Sequence, residues 1–346
     1  MFVALLFLLL VGMAAFSYLE DERPSTRALV YMGVVGIITL MAALRPLGID
    51  KDSLQYYSYY LGQFDDIVEP SFILISDIVR ATLDDVRGIF IVYALLAIPL
   101  KCFVFTKLSN EYFLLLVVYM SNFMVLHDMT QIRVGVAMAF VFLAFYFQTR
   151  SNRWTSLLLI LVATYFHVSA ILLVVMLFFG NKELKTYYRI ILAFIPCFAF
   201  ASVLFNVDLI SLIPFDFVQD KLRIYEEIKD NGTADVEKVN IFNAGIMMKM
   251  AVYYFVLWKY NTLKAHCSYL PLLLKLFALS YVCLGVFNFI AVFATRISEL
   301  YGFVEILMVP LIVHAFEPKW AGRTFVLLYA VGIFLLNVVY AQLLTL

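Results

Sequence analysis

Residues 28–60 read ALVYMGVVGIITLMAAL, RPLGIDKD and SLQYYSYY, an apolar run followed by a short polar segment and a tyrosine cluster. The apolar run approaches the length of about 20 residues that a helix needs to cross the hydrocarbon core of a membrane. The polar segment would then emerge at one face. We therefore predict a membrane protein that gathers arginines, carboxylates and tyrosines on one face, where they suit an anionic, polar substrate.

The composition of the whole chain predicts the same class. Hydrophobic residues make up 64% of the 346 residues and charged residues 14%, and the mean hydropathy is +0.94. A soluble domain is about half apolar and about a quarter charged, so the chain is predicted to be a polytopic membrane protein. Its formal net charge is zero, which argues against nucleic acid as a partner.

Neither a metal nor another cofactor is expected. The cysteines are scattered without a CxxC pair, and buried packing is their expected role. The histidines show no HExxH or EF-hand spacing. The cysteines are Cys102, Cys197, Cys267 and Cys283.

Apolar runs along the chain predict an all-α fold with about 11–12 transmembrane helices, forming one integral membrane domain over residues 1–346. Helices are expected because the bilayer core offers no partner to an unpaired backbone group. The first run lacks the positive start of a signal peptide, so we interpret it as a membrane helix. The runs are Met1–Leu19, Ala28–Leu44, Gly88–Thr106, Tyr112–Leu126, Val134–Gln148, Thr155–Phe179, Tyr187–Asn206, Ile241–Trp258, Leu270–Phe293, Ser298–Phe316 and Thr324–Leu344.

Basic loops indicate the orientation, because short loops rich in Lys and Arg mark the cytoplasm. Alternation places the first three basic loops inside and then fails, unless Thr155–Phe179 turns back near His167 as two short helices or a re-entrant pair. With that turn, the basic loops all lie inside, while external loops over about 45–87 and 207–240, together with Arg296, lie outside. The basic residues are Arg23, Arg27, Lys101, Lys107, Arg150, Arg153, Lys182, Lys185, Arg189, Lys259, Lys264, Lys319 and Arg323.

Each long external loop is predicted to contain an amphipathic helix lying along the interface, as an anchor or as a cover over a cavity. In Glu69–Arg87, Pro70 suits a first helical turn and apolar residues repeat at helical spacing. These are Phe72, Ile75, Val79, Leu83 and Val86, and the second loop carries Phe217, Lys221, Leu222, Tyr225 and Ile228.

The isolated polar residues each allow two interpretations. Arg133 and Arg296 begin helices, where an arginine either snorkels to the interface or holds a phosphate with its planar fork; Glu299 lies one turn from Arg296 and could pair with it. His167 is a hydrogen-bonded packing residue or a ligand and proton-transfer group. Arg45 with Asp50 or Asp52 forms a loop ion pair or part of a site.

The tyrosines and Glu69 also allow two interpretations each. The tyrosines are interfacial belt residues or platforms on which sugar rings stack, and four within five positions favour the platform. Glu69 is a general base or an anion favoured by the start of a helix.

The order of these residues resembles the EpsG family of polysaccharide polymerases, related in role to the Wzy polymerases of surface glycans. The chain shows Arg-x-x-Gly-x-Asp, tyrosines, Glu-Pro-x-Phe, Gln-x-Arg at a helix start, Phe-His-x-Ser-Ala and a late Arg. The family's spacing of aspartate and tyrosine fits Asp52 better than Asp50. The matching positions are Arg45, Gly48, Asp50, Tyr56, Glu69, Gln131, Arg133, His167 and Arg296.

The resemblance implies a substrate and a reaction. The substrate would be an oligosaccharide repeat unit on undecaprenyl pyrophosphate, delivered by a flippase to the outer face of the bacterial inner membrane. The enzyme would move the growing chain from its lipid onto the non-reducing end of a new unit. A helical architecture like that of GT-C glycosyltransferases, membrane lipid as surroundings and a chain-length regulator as partner are further expectations.

Roles follow from this chemistry as hypotheses. Arginines stabilise the charge that grows on the leaving pyrophosphate and can replace a metal; Arg133, Arg296 and Arg45 are the candidates, with Arg45 also positioning sugar. The acceptor hydroxyl needs a base, and Asp50, Asp52, Glu69 and His167 remain open for it. The predicted glycan-binding residues are Tyr56, Tyr57, Tyr60 and Gln131.

Two rival functions share the cationic site. A ligase would transfer finished polymer from the same lipid-pyrophosphate donor to a lipid A core. A flippase or transporter would also need a cationic cavity, but transporters usually show internal repeats and broken helices. Few prolines and no visible repeat favour an enzyme open to one side.

Overall fold

A computed structural model describes residues 2–19, 24–63, 69–205, 207, 239–288 and 291–345. The chain divides into two compact units, residues 1–180 with 309–346 and residues 181–308. The described residues form helices and one isolated bridge, between Asp50 and Leu344. The prediction of an all-α, polytopic membrane protein is confirmed.

The first unit contains most of the long helices. Its elements are α1 (Phe2–Phe16), α2 (Pro24–Ala43), α3 (Ser53–Tyr60), α4 (Pro70–Thr82), α5 (Arg87–Leu108), α6 (Tyr112–Ser121), a π-helical segment (Met124–Thr130), α7 (Ile132–Thr149), α8 (Arg153–Phe166) and a 3₁₀ helix (Val168–Phe178). After the second unit come a short 3₁₀ helix (Ile312–Ala315), α15 (Lys319–Leu335) and a π-helical turn (Leu336–Tyr340).

The second unit is smaller and also helical. Its elements are α9 (Thr186–Leu204), α10 (Ala244–Trp258), α11 (Tyr260–Lys264), α12 (Leu270–Val286), α13 (Ala291–Gly302) and the start of α14 (Glu305–Leu311). The predicted amphipathic stretch from Phe217 to Ile228 lies outside the described residues.

The predicted spans correspond to helices of two kinds, those long enough to cross a membrane and shorter apolar helices. Five described helices are long and apolar enough to cross a membrane, or up to seven if each of two bent pairs counts as one span. The remaining predicted runs correspond to apolar helices of 10–17 residues. By length and composition alone, the described residues therefore contain five to seven candidate spans, because several of the other predicted runs form shorter helices separated by turns and polar breaks.

The predicted turn at His167 is present. α8 has 14 residues and the following 3₁₀ helix has 11, so the two arms are both about 21–22 Å long. The Ser156 hydroxyl donates to the Ala144 carbonyl at 2.9 Å, and the Gln148 amide donates to the Phe179 carbonyl at 3.0 Å. Both ends of this helical pair therefore lie beside the end of α7, and His167 is the apex of a hairpin.

The predicted helix after Glu69 is also present, as α4. It begins with Pro70 at its first turn, where the missing N–H of proline costs nothing. Phe72 and Val79 are buried, while Ile73 and Ile78 are more than half exposed. The helix is therefore amphipathic, although it ends at Thr82 and leaves Leu83 exposed.

The interpretation of Lys101 as a loop residue is wrong. Lys101 lies inside α5 and is 1% exposed. A lysine near the end of an apolar run resembles a cytoplasmic flank, but here a carboxylate on another element compensates its charge inside the protein. Arg323 likewise lies within α15 and is buried.

Candidate functional site

The first unit brings the start of α4, the start of α7 and the hairpin apex together around one carboxylate. Glu69 precedes α4 in an extended conformation, with Pro70 next to it. Its Oε1 lies 3.0 Å from Nδ1 of His167, and its Oε2 accepts a hydrogen bond from Nη1 of Arg133. Three residues that are far apart in sequence and were each predicted as candidates therefore form one polar cluster, the Glu69 cluster.

The Glu69 cluster is sheltered but remains accessible. The side chain of Glu69 is 10% exposed, that of Arg133 is 22% exposed and that of His167 is 24% exposed. Coulomb attraction is stronger at such a partly desolvated position than in water. The cluster is therefore preorganised, and its two nitrogen-bearing side chains can still reach a ligand.

The surroundings of Glu69 keep its carboxyl ionised. Burial acts to raise the pKa of Glu69, but the hydrogen bond with His167 and the charge of Arg133 outweigh it, so the pKa lies below its usual range. Hydrogen bonds and positive charge favour the ionised form of a carboxyl group. Glu69 therefore enters neutral-pH chemistry as a carboxylate whose two oxygens are both occupied, which suits orientation better than proton abstraction.

Two of the tyrosines complete the cluster. The Arg133 guanidinium lies 5.7 Å from the ring centre of Tyr56 and 5.9 Å from that of Tyr59, within the range of a cation–π contact. Burial raises the pKa of Tyr56 to about 12, although the charge of Arg133 opposes that shift, so the hydroxyl stays protonated.

The other two predicted tyrosines have different surroundings. Tyr57 is 40% exposed on another side of α3. Tyr60 is buried, and Arg80 lies over its ring at 5.1 Å. Tyr59 belongs to the predicted tyrosine cluster but was not among the residues predicted to bind glycan, although its helical spacing of three from Tyr56 places both on one face.

An aromatic wall supports this group. Tyr56 packs on Phe72 of α4 with ring centres 5.7 Å apart, and Tyr93 of α5 meets Phe166 edge to face at 6.4 Å. Phe166 is the residue before His167, so the wall fixes the hairpin apex. Dense aromatic packing of this kind restricts side-chain motion.

Arg45 and Asp50 pair with each other below the surface. Nε of Arg45 donates to Oδ2 of Asp50 at 2.8 Å, and both side chains are 0% exposed. The guanidinium also stacks over Phe90 at 4.1 Å, and burial lowers the pKa of Arg45 although Asp50 opposes that shift. Both charges are committed to a partner, so this pair supports the loop rather than presenting groups to solvent.

Asp50 has a further structural task. Its Oδ1 accepts from the backbone N–H of Asp52 at 3.1 Å and of Ser53 at 2.9 Å, which fixes the start of α3. Asp52 is half-buried at that start. The loop is also joined to the end of the chain, since the N–H of Thr345 donates to the Ile49 carbonyl at 2.8 Å.

The remaining predicted residues lie in two places. Gln131 is half-buried between the π-helical segment and α7, two residues before Arg133. Arg296 is exposed on α13 of the second unit. In that unit a cavity of about 70 Å³ is lined by Lys249, Glu299 and several hydroxyl side chains.

A buried charged network, which was not predicted from the sequence, lies against the start of α7 at Gly135. Nζ of Lys101 donates to both carboxylate oxygens of Asp128, at 2.6 and 2.8 Å, and the Tyr119 hydroxyl donates to Asp128 at 2.5 Å. The signal was present in the sequence, because a charged residue within an apolar run is costly unless it has a partner. The sequence does not reveal which partner it has.

Comparison with known proteins gives one result. The model of the EpsG family matches residues 28–344, nearly the whole chain. Searches of curated proteins and of solved structures returned no match. The matched region includes every residue of the Glu69 cluster and the motifs from which the resemblance was predicted. The chain belongs to the EpsG family, the family of Wzy-type polysaccharide polymerases.

Proposed function

We propose that the protein polymerises oligosaccharide repeat units carried on undecaprenyl pyrophosphate, at the outer face of the bacterial inner membrane. Membership of the EpsG family supports a polysaccharide polymerase. The observation that carries the proposal is the contact of Glu69 with both His167 and Arg133. A base, the group that orients it and a cation lie within one sheltered cluster.

His167 is the proposed general base. In the neutral tautomer whose Nδ1 donates to Glu69, the lone pair is on Nε2. Nε2 then accepts the proton of the acceptor hydroxyl as that oxygen attacks the anomeric carbon of the donor. Glu69 stabilises the imidazolium that forms. This arrangement favours His167 over Asp50, whose carboxylate is enclosed with Arg45.

Arg133 is the proposed ligand of the leaving group. The bond between the anomeric carbon and the pyrophosphate oxygen breaks, and the electron pair stays on pyrophosphate. A guanidinium has five N–H donors, so Arg133 can bind Glu69 through Nη1 and still donate to phosphate. Stabilisation of charge that grows in the transition state accelerates the reaction. Arg296 remains a second proposed pyrophosphate ligand.

The aromatic residues and Gln131 are the proposed glycan contacts. Tyr56 and Tyr59 lie beside Arg133, where a sugar linked to pyrophosphate would pass. The apolar face of a sugar ring packs on an aromatic ring. Tyr57, which is exposed, would contact only the more distant part of the glycan. A GT-C-like architecture, a flippase that supplies the substrate and a chain-length regulator belong to the same proposal.

One observation favours the transporter alternative. α6 and the π-helical segment form a pair bent by 65°, and broken helices are typical of transporters. A flippase, however, makes no glycosidic bond and therefore needs no general base for an acceptor hydroxyl. The two functions differ in which lipid-linked species accumulates when the protein is absent.

The test is a gel of surface and lipid-linked glycans from the host after deletion of the gene. We expect the ladder to collapse to single repeat units outside the membrane, and to be restored by wild type and by Arg150→Gln, a control at the other end of α7. Arg133→Ala and His167→Ala, inserted at wild-type levels, should not restore it. Full-length polymer on its lipid carrier would indicate a ligase, and single units held inside would indicate a flippase.

A further inference from the structure

The chain segment that leads into Arg133 is bent and mostly buried. α6 and the π-helical segment meet at 65°, and all but one residue of Met124–Thr130 are buried. Arg133 follows in the first turn of α7. The direction of the Arg133 side chain therefore depends on how this bend is held.

Asp128 lies in the π-helical segment that follows the bend. It is held by Lys101 from α5 and by Tyr119 from α6, through three hydrogen bonds of 2.5–2.8 Å. Lys101 and Asp128 have side chains 1% and 0% exposed. Removing one partner of a buried ion pair leaves an uncompensated charge and is strongly destabilising, so the network fixes the distance between α5 and the bend.

Close packing transmits this constraint to α7. A Cβ atom added at Gly135 would lie 2.7 Å from Oδ1 of Asp128 and 3.0 Å from the backbone oxygen of His127. Gly135 is two residues after Arg133, so α7 approaches the carboxylate as closely as backbone allows. Asn337 secures the other side, donating to the Ser121 carbonyl and to Asn122, both at 3.1 Å.

The second unit uses the same arrangement at its own bend. α13 and the following helix form a pair bent by 53°. Glu305, directly after the break, is 0% exposed and pairs with Lys249 of α10 at 3.0 Å. Each unit therefore has a lysine–carboxylate pair between a bent helix pair and a neighbouring helix. Both partners are buried in the first unit, whereas in the second Glu305 is buried and Lys249 is 24% exposed.

We propose that Lys101, Asp128 and Tyr119 are positioning residues that aim the Arg133 guanidinium at Glu69 and at the substrate pyrophosphate. The network does not touch the substrate. It sets the start of α7, while α5 also contributes Tyr93 to the aromatic wall. α5 therefore contacts both Asp128, through Lys101, and the aromatic wall, through Tyr93. This inference rests on the proposed function of Arg133.

The test is a double-mutant cycle on the purified full-length protein in lipid vesicles, with a synthetic lipid-linked repeat unit as substrate. Lys101→Met and Asp128→Asn are combined, because removing both charges avoids an unpaired one. We expect the combined variant to fold as well as wild type and to lose at least tenfold in kcat. In an Arg133→Ala background the same pair of changes should cause less than a twofold further loss, since groups acting through one residue are not additive.

The outcomes separate this inference from the proposed function. If Arg133→Ala keeps full activity, the proposed role of Arg133 fails. If Arg133→Ala is impaired and the fold losses in kcat from Arg133→Ala and from the combined Lys101→Met and Asp128→Asn changes multiply, the proposed positioning role is wrong. Tyr119→Phe removes one hydrogen bond without altering charge and should show a smaller loss that also disappears in the Arg133→Ala background. A combined variant with the wild-type kcat would show that the network has only a structural role and does not position Arg133.

Discussion

Nδ1 of His167 lies 3.0 Å from Oε1 of Glu69, although 98 positions separate the two residues in the sequence. The contact exists because α8 carries the chain back to the level at which α4 begins, and because the hairpin turns at His167 itself. The same carboxylate binds Arg133. The geometry therefore couples a titratable ring, a carboxylate and a guanidinium in one cluster.

The cluster predicts a pH dependence of stability. The folded-state pKa of Glu69 is depressed below its ordinary value of 4.5, so the unfolded state binds the proton more tightly. The stabilisation is therefore fully present above about pH 4.5 and is lost as the pH falls through the folded-state pKa. Thermal unfolding in detergent between pH 3 and 7 should show a steeper acid loss for wild type than for Glu69→Gln. Equal slopes would contradict the ionised, paired state of Glu69.

The burial of the Arg45–Asp50 pair predicts that single substitutions at these residues impair folding rather than substrate binding. Arg45→Met or Asp50→Asn leaves a buried charge without its partner, which costs about 3–5 kcal/mol. The combined variant should recover most of that loss. Folded yield by size-exclusion chromatography and thermal unfolding measure this. If each single variant folds normally and only polymer length changes, Arg45 acts on substrate as the family resemblance implies.

Gly135 predicts sensitivity to a single methyl group. Gly135→Ala places Cβ 2.7 Å from Oδ1 of Asp128, so the carboxylate or α7 must shift. We expect a loss of about 1–3 kcal/mol in stability, as for overpacking of a core, together with shorter glycan. Gly12→Ala, at a glycine with nothing within 4 Å, is the matched control. Wild-type thermal stability of Gly135→Ala would contradict the close approach.

The two faces of α3 predict different roles for neighbouring tyrosines. Tyr56→Ala removes a ring beside Arg133, so polymer length and donor affinity should both fall. Tyr57→Ala alters an exposed ring and should reduce polymer length by less. Donor KM and ladder length measured for both variants test this. The opposite order would show that the exposed ring is the principal glycan contact.

The sequence was sufficient for several parts of this description because their signals are local. The polar break at Tyr165–Ser169 and the excess of basic loops after it required a turn at His167, and Pro70 with spaced apolar residues required α4. The order of motifs indicated Glu69, Arg133 and His167 as candidates together. None of these sequence signals indicates which side chains are in contact.

The rest depends on contacts between distant elements. Lys101 resembles a flanking lysine until Asp128, 27 residues later, is placed against it. Tyr59 and Tyr57 are alike as residue types, and only the register of α3 separates them. Arg45 and Asp50 resembled solvent-facing site residues, whereas packing over Phe90 encloses them. The partner of a charged residue, the face of a helix that is buried and the burial of a loop ion pair all depend on the tertiary structure.

The most direct test of the Glu69 cluster as the catalytic site is the rate of repeat-unit transfer by purified His167→Ala in lipid vesicles, from pH 5 to 9. Loss of a general base typically lowers the rate by about 10²–10⁴-fold. We predict a loss of kcat in that range, a donor KM within about threefold of wild type, and disappearance of the acidic limb of the pH profile. A His167→Ala enzyme with the wild-type kcat and pH profile would show that His167 is not the general base.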